Sequence, residues 1–290
     1  MDEFAIDKKQ MRRAFNRAAT DYDASAVLQR EICTRMLERL EYIKLQPERI
    51  LDAGSGTGWG TRRLSRHYPD AQTIALDIAS GMLQTARGHS GWWQKLFGGS
   101  RQMQVCGDIE SLPLASKSVG MVWSNLAIQW CNDLPATFAE LHRVLKVDGL
   151  LMFSTFGPDT LKELRRSFEG VDRHNHLNRF TDLHDIGDML VHSGFAEPVM
   201  DMEYLTLTYD DVRGVLQDLK SIGAHNTTTG RPRGLMGKRA WGQLVENYER
   251  LRSNGKLPAT FEVVYGHAWK PQPKQTPDGR AIINTSFKLK

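Results

Sequence analysis

Three carboxylates and a run of glycines stand where short apolar segments end, and their order marks the ligand-binding edge of a sheet. The first is Asp52, in Ile50-Leu51-Asp52-Ala53-Gly54-Ser55-Gly56-Thr57-Gly58. Glycines at such a turn allow positive φ and let a ligand come close to the backbone. The nicotinamide fingerprint GxGxxG is not met, because its third glycine, counted from Gly54, falls on Trp59. A phosphate-binding P-loop is excluded as well, since no Gly-Lys-Ser/Thr follows. What remains is an acid two positions before a glycine turn that carries neither phosphate fingerprint. The second acid, Asp77, ends the apolar run Thr73-Ile74-Ala75-Leu76, nineteen positions beyond Gly58. A carboxylate at the end of a second strand can accept hydrogen bonds from both hydroxyls of a ribose. The third, Asp108, lies between Gly107 and Ile109 after another short strand-like stretch.

The elements that must carry these residues alternate. Residues 7–43 read as helix, with Leu28, Ile32, Met36 and Leu40 four apart on one stripe. Strand is expected at 49–53, 72–77, 103–107, 120–124 and 149–155, and helix at 61–67, 80–87 and 134–145. Such alternation predicts an α/β fold, a parallel sheet with helices on both faces that binds its ligand beyond the strand ends. After Phe156 the rhythm changes: helices are expected at 160–168 and 182–193, a strand at 203–209, helices at 210–222 and 237–252, and a last strand at 261–269. The expected division is an N-terminal helical cap at 1–46, a Rossmann-like core at 47–209, a helical insertion at 210–256, and a closing strand with its tail at 257–290. The tail after Pro271, with Pro273, Pro277 and Gly279, is expected to be loosely held.

Composition narrows the class. Of 290 residues, 40% are hydrophobic and 25% charged, enough apolar material for one sizeable core without staples. Cys33, Cys106 and Cys131 form no CxxC pair, which argues against a disulfide framework or a structural zinc site. No apolar run approaches a membrane span and the first residues carry no signal-peptide core, so a cytoplasmic protein is expected. A net charge of +4 is too small to indicate nucleic acid by itself but suits an acidic protein partner. His174, His176, His184 and His192 match no metal-ligand spacing, and no metal is expected. Trp92, Trp93, Leu96 and Phe97 form an apolar cluster in a glycine-flanked stretch, expected to pack on the sheet edge.

An acid two positions before GxGxG resembles motif I of the S-adenosylmethionine-dependent methyltransferases. Longer stretches are similar to one family, the malonyl-acyl-carrier-protein O-methyltransferases of biotin synthesis. They are Arg13-Ala14-Phe15-Asn16-Arg17-Ala18-Ala19-Thr20-Asp21-Tyr22-Asp23, the segment from Gly107 through Leu126-Ala127-Ile128-Gln129-Trp130 to Leu164, and Thr260–Trp269. The resemblance implies S-adenosylmethionine as cofactor, held by Asp52, Gly54, Gly56, Gly58, Asp77, Ile78, Asp108, Ile109 and Asn125. It implies S-adenosylhomocysteine as product, and a malonyl thioester on acyl carrier protein as substrate. Tyr22, on the capping helix, is expected to position the reacting groups, with Gln129 and Trp130 beside the methyl. A substrate carboxylate calls for a cation, for which Arg179, Arg231 and Arg233 are the candidates. The basic run Arg231 to Arg239 is expected to meet the carrier protein. The same sheet also resembles an arginine-hydroxylating assembly factor of mitochondrial complex I and methyltransferases of small molecules or tRNA. A non-catalytic assembly role is the alternative outside enzymology.

Overall fold

A computed structural model describes residues 4–88, 102–172, 174, 176–222, 226–231, 234 and 236–273. Strands β1 (Arg49–Ala53), β2 (Gln72–Asp77), β3 (Gln102–Cys106), β4 (Val119–Asn125), β5 (Leu145–Phe156), β6 (Ala196–Tyr209) and β7 (Leu257–Trp269) form a seven-stranded sheet in the order β3-β2-β1-β4-β5-β7-β6. The first five run parallel. β7 runs antiparallel between β5 and β6, so the sheet is mixed rather than wholly parallel. The reversal in strand order beside β1 opens the crevice in which such sheets bind ligands.

Period-two alternation distributes the strands' apolar residues to two cores. Ile50, Trp123, Leu150 and Met152 face one side and Leu51, Val122, Leu151 and Phe153 the other, nearly all completely buried. The first face is covered by helix α3 (Val27–Leu40), which buries the expected stripe Leu28, Ile32, Met36 and Leu40. The long helix expected at 7–43 is three pieces: α1 (Lys8–Ala18), α2 (Tyr22–Ser25) and α3. The chain turns at Thr20-Asp21 and again at Ala26, whose ψ of 45° is non-helical. That double turn frees α1 to lie across the strand ends while α3 stays on the sheet. Strand β6 begins seven residues before its expected start at Glu203. Pro198 obscures it in sequence, but Pro is tolerated on an edge strand, and the ladder is irregular there between Ala196 and Val199.

Among the described residues no helix is long and apolar enough to cross a membrane, and no three His, Cys, Asp or Glu side chains gather as a metal site. His176 stacks on Phe168 with ring centroids 3.8 Å apart and contacts Asp172 at 2.8 Å, a packing arrangement. The Trp92–Phe97 cluster, Arg233 and the tail from 274 onward lie outside the described residues.

Candidate active site

The glycine loop is folded back on its own strands. Gly54 N and Ser55 N both donate to Leu76 O, at 2.8 and 2.9 Å, and Gly58 N donates to Ser55 O. Gly56 N donates to Asp77 Oδ2 at 2.8 Å. With these donors used internally, the loop is no phosphate nest, in keeping with the motif it lacks. Gly54 (φ +83°) is pressed against the turn after β4, where an added Cβ would lie 2.2 Å from Ala127 Cβ. Gly56 (φ +53°) faces open space.

Beyond the loop lies a cavity lined by both core and cap. Gly54, Gly56, Asp77, Ile78, Asp108 and Ile109 supply one wall. Asn125, Leu126 and Trp130 supply a second, and Lys8, Met11, Phe15 and Tyr22 close it from the N-terminal side. Asp77 is buried and its oxygens accept Gly56 N and Ala79 N, each at 2.8 Å. Two of a carboxylate's four acceptor positions are thereby used, leaving capacity for a pair of hydroxyls. Burial raises its pKa to about 6, although the two backbone donors pull it down. Asp108 Oδ1 accepts Lys8 Nζ and Glu110 N, at 3.0 and 3.1 Å, while Oδ2 has no donor among the described residues. Asn125 is held by Ser154 Oγ at 2.9 Å and by its own bond to Gln29 O at 3.1 Å. Leu126 adopts φ +50°, a conformation rare for a side chain of this kind, in the cavity wall itself.

The cap is fastened by polar bonds that sequence spacing does not reveal. Lys8 Nζ bridges Asp108 and Glu110, the latter at 2.6 Å. Asn132 brackets Ile6, accepting its N–H at 2.7 Å and donating to its carbonyl at 3.1 Å. Asp7 N and Thr229 N bond Thr227 O and Ala5 O, so the strap preceding α1 also lies against the 227–229 loop. Phe15 meets Trp130 edge-on at 5.2 Å, and Tyr22 packs with Phe15 on Ala79 and Met82. Burial, with Asp77 and Asp23 nearby, raises the Tyr22 phenol above its ordinary range and keeps it a neutral donor. Lys8→Met should therefore loosen the strap. Loss of a partly buried ion pair of about 1.4 kcal/mol would speed amide hydrogen exchange over residues 5–11 roughly tenfold, with the strands unchanged. Equal exchange in the two proteins would remove Lys8 from this role.

Several expected site residues lie elsewhere. Asp52 is buried beneath the loop, not on the cavity; its Oδ2 accepts Thr61 Oγ1 at 2.5 Å. Burial lifts its pKa to about 7, against the pull of Thr61. Strand alternation is the cause: Asp52 shares the Ile50 face, toward Trp123 and Cys33, not the ligand side. Gly58 begins helix α4 (Trp59–His67) with φ +78° and does not line the cavity. Gln129 turns away from Trp130 within the short 3-10 turn 128–130, bonding Leu126 O and lining a second, larger cleft. That cleft also contains Arg179, Arg165 and the strap residues Phe4, Ala5 and Ile6, and Cys131 borders both spaces. Arg231 is turned to Thr228 O at 2.7 Å and lines neither. Lys8, Met11 and Phe15 were missed; only the absence of acids from α1 hints that its cations serve something outside the helix.

Comparison with known proteins follows from this geometry. Residues 51–153 match the family model described as a methyltransferase domain. The chain is 76% identical over 290 residues, all of both chains, to a malonyl-[acyl-carrier protein] O-methyltransferase of Gallionella capsiferriformans. It is 61% identical to the enzyme of the same name from Nitrosospira multiformis, over 96% of this chain and 95% of that one. Among solved structures, the YcgJ protein of Bacillus subtilis superposes with a TM-score of 0.58 at 17% identity, over 82% of this chain and 98% of that one. A Haemonchus contortus phosphoethanolamine N-methyltransferase 2, solved with phosphomonomethylethanolamine and S-adenosylhomocysteine, gives 0.51 at 17% identity, over 83% of this chain and 52% of that one. These likenesses place the sheet among the class I methyltransferase folds.

Proposed function

The chain belongs to the malonyl-[acyl-carrier protein] O-methyltransferase family, and we propose that it methylates the free carboxylate of a malonyl thioester carried on acyl carrier protein. The product would be the methyl ester that starts pimeloyl synthesis for biotin. The observation that carries the reading is full-length identity of 76% to a protein of that name, together with a ribose-type acid, Asp77, at the expected strand end.

The residues fit S-adenosylmethionine. Asp77 has acceptor capacity for both ribose hydroxyls, Asp108 Oδ2 suits an adenine amino group beside Ile109, and the glycine loop offers close approach without an anion nest. Bound there, the cofactor supplies an electrophilic methyl group on sulfur. A malonyl carboxylate is ionised at neutral pH, so the protein needs no general base. Its task is to hold the attacking oxygen in line, roughly 3–3.5 Å from the methyl carbon. Tyr22 does this by donating a hydrogen bond from its neutral phenol, and Trp130 with Phe15 forms an apolar wall that excludes water. On this reading residues 1–46 are the cap, 47–209 the core, 210–256 an insertion, and 257–290 the closing strand and tail.

The second cleft adjoins the cofactor cavity at Cys131, and we assign it to the malonyl arm. Of the two candidate arginines among the described residues, Arg179 is the one that lines it, its guanidinium over the Phe4 ring at 5.8 Å and free of any acidic partner among those residues. Arg179→Gln should raise KM for malonyl-acyl carrier protein about 10–100-fold, the loss of one charged hydrogen bond of about 1.5–3 kcal/mol. Cofactor affinity should not change. A variant with wild-type KM would exclude Arg179 as the carboxylate's partner. The reaction itself is tested by transfer from labelled S-adenosylmethionine to malonyl-acyl carrier protein, followed by intact mass of the carrier. A gain of one methyl that mild esterase removes supports the reading. Absence of transfer with cofactor bound would overturn it in favour of an assembly role.

A further inference from the structure

Helix α1 has five basic residues and no acidic one in Lys8-Lys9-Gln10-Met11-Arg12-Arg13-Ala14-Phe15-Asn16-Arg17-Ala18. Lys8 is accounted for by Asp108 and Glu110. Lys9, Arg12, Arg13 and Arg17 are exposed and have no acidic partner among the described residues. Lys9, Arg13 and Arg17 are four apart, forming one positive stripe with Arg12 at its side, opposite the buried Met11 and Ala14. This arrangement works against the helix. Like charges four apart destabilise it by about 0.2–0.5 kcal/mol per pair, and two lysines sit at the positive end of its dipole. Elsewhere some cations in or just after a helix are balanced within a turn: Arg143 with Glu140, Arg250 with Glu246, Arg252 with Glu249. Helix α4 also carries arginines and no acid, but there Arg62 bonds Thr57 O and Arg63 lies over the Trp59 ring; on α1 these cations stay exposed, on the helix that covers the cofactor cavity.

Its position suits a partner that must deliver an arm. The inner face of α1 contributes Met11 and Phe15 to the cofactor cavity, and Phe4 to Ile6, just before its first turn, line the larger cleft. A protein seated on the outer face lies beside the cleft into which its thioester must reach. In the helical insertion two cations are engaged within the fold, Arg231 with Thr228 O and Arg213 over the Trp241 ring, while Lys238 and Arg239 are exposed. We infer that the outer face of α1, through Lys9, Arg12, Arg13 and Arg17, is the docking surface for an acidic acyl carrier protein; this rests on the function proposed above. Such a surface acts through encounter and orientation, and therefore on KM more than on the chemical step.

The test is the full-length double variant Arg13→Glu/Arg17→Glu, assayed with malonyl-acyl carrier protein across ionic strength and titrated separately with S-adenosylmethionine. The expected result is a KM for the carrier raised tenfold or more and a flatter salt dependence, with kcat and cofactor affinity within twofold of wild type. Lys238→Glu/Arg239→Glu, the same reversal on the insertion, should leave KM near wild type. The inference is overturned by an unchanged KM in the α1 variant, or by a rise confined to the insertion variant. It is also overturned if cofactor affinity falls in parallel, which marks a merely structural helix. Wild-type KM with loss of binding to anionic phospholipid vesicles would reassign the face to a membrane surface. A wild-type enzyme that fails to methylate malonyl-acyl carrier protein refutes the underlying reading instead, an outcome separable from all of these.

Discussion

Asp77→Ala is expected to raise the dissociation constant for S-adenosylmethionine by about 100-fold or more. Two charge-assisted hydrogen bonds to the ribose, each about 1.5–3 kcal/mol, would be lost at once, and Gly56 N would lose the acceptor that sets the loop. Asp77→Asn disturbs both contributions while keeping the size of the side chain. Both of its oxygens now face backbone donors, from Gly56 and Ala79, so an amide in their place must set its NH2 against an N–H. Affinity should therefore fall in this variant as well, by about tenfold or more. The pH dependence has a definite sign. Burial holds the folded pKa near 6, above the ordinary 3.8, so folding favours the protonated acid relative to the unfolded chain. Its contribution to stability is fully present below about pH 4 and is lost as pH rises toward 6. Asp52, raised to about 7, acts in the same sense up to neutral pH. Cofactor binding needs the ionised acceptor, so affinity should fall as pH drops below about 6. Calorimetric titration at pH 5, 6 and 7.5 checks this, and a flat profile would exclude Asp77 as the ribose acceptor.

The two loop glycines should respond differently to the same methyl group. Gly54→Ala drives a Cβ to 2.2 Å from Ala127 Cβ at a positive φ, so the loop and the turn after β4 must part. A stability loss of about 2–4 kcal/mol is expected from overpacking and left-handed strain together, with cofactor binding abolished. Gly56→Ala meets nothing within 4 Å and should lose only about 1–2 kcal/mol of stability from its φ. Its methyl would point into ligand space, and cofactor affinity should still fall tenfold or more. Denaturant unfolding beside cofactor titration distinguishes the two; equal destabilisation would contradict the crowding described for Gly54.

What could be read in advance followed from local physics. The apolar runs at β1 and β2 have the bounds that their pattern predicts, and a strand-ending Asp77 needs only period-two counting to be found. Asp52 shows the limit of that reasoning. The motif puts an acid near the loop, but alternation along β1 sends it to the far face, where Thr61 takes it up. Gln129 and Trp130 are adjacent in sequence and open onto different spaces because a 3-10 turn rotates successive side chains apart. The cap was legible as helix but not as three helices, since no glycine or proline marks the turn at Thr20-Asp21. Its fastening by Lys8 to Asp108 joins residues 100 apart in sequence, and no spacing rule reaches that far.

The place of β7 has a consequence for synthesis. The parallel strands β1 to β5 can pair as each leaves the ribosome, but β6 has β7 as its only strand neighbour among the described residues. Until Leu257–Trp269 emerges, the fourteen residues of β6 carry a ladder with no mate, and β5 keeps an open edge. Both are templates for pairing with other chains. A stop codon before Leu257 therefore removes the keystone of the sheet and leaves a nascent protein with two adhesive margins, prone to clump before any catalytic defect can be measured.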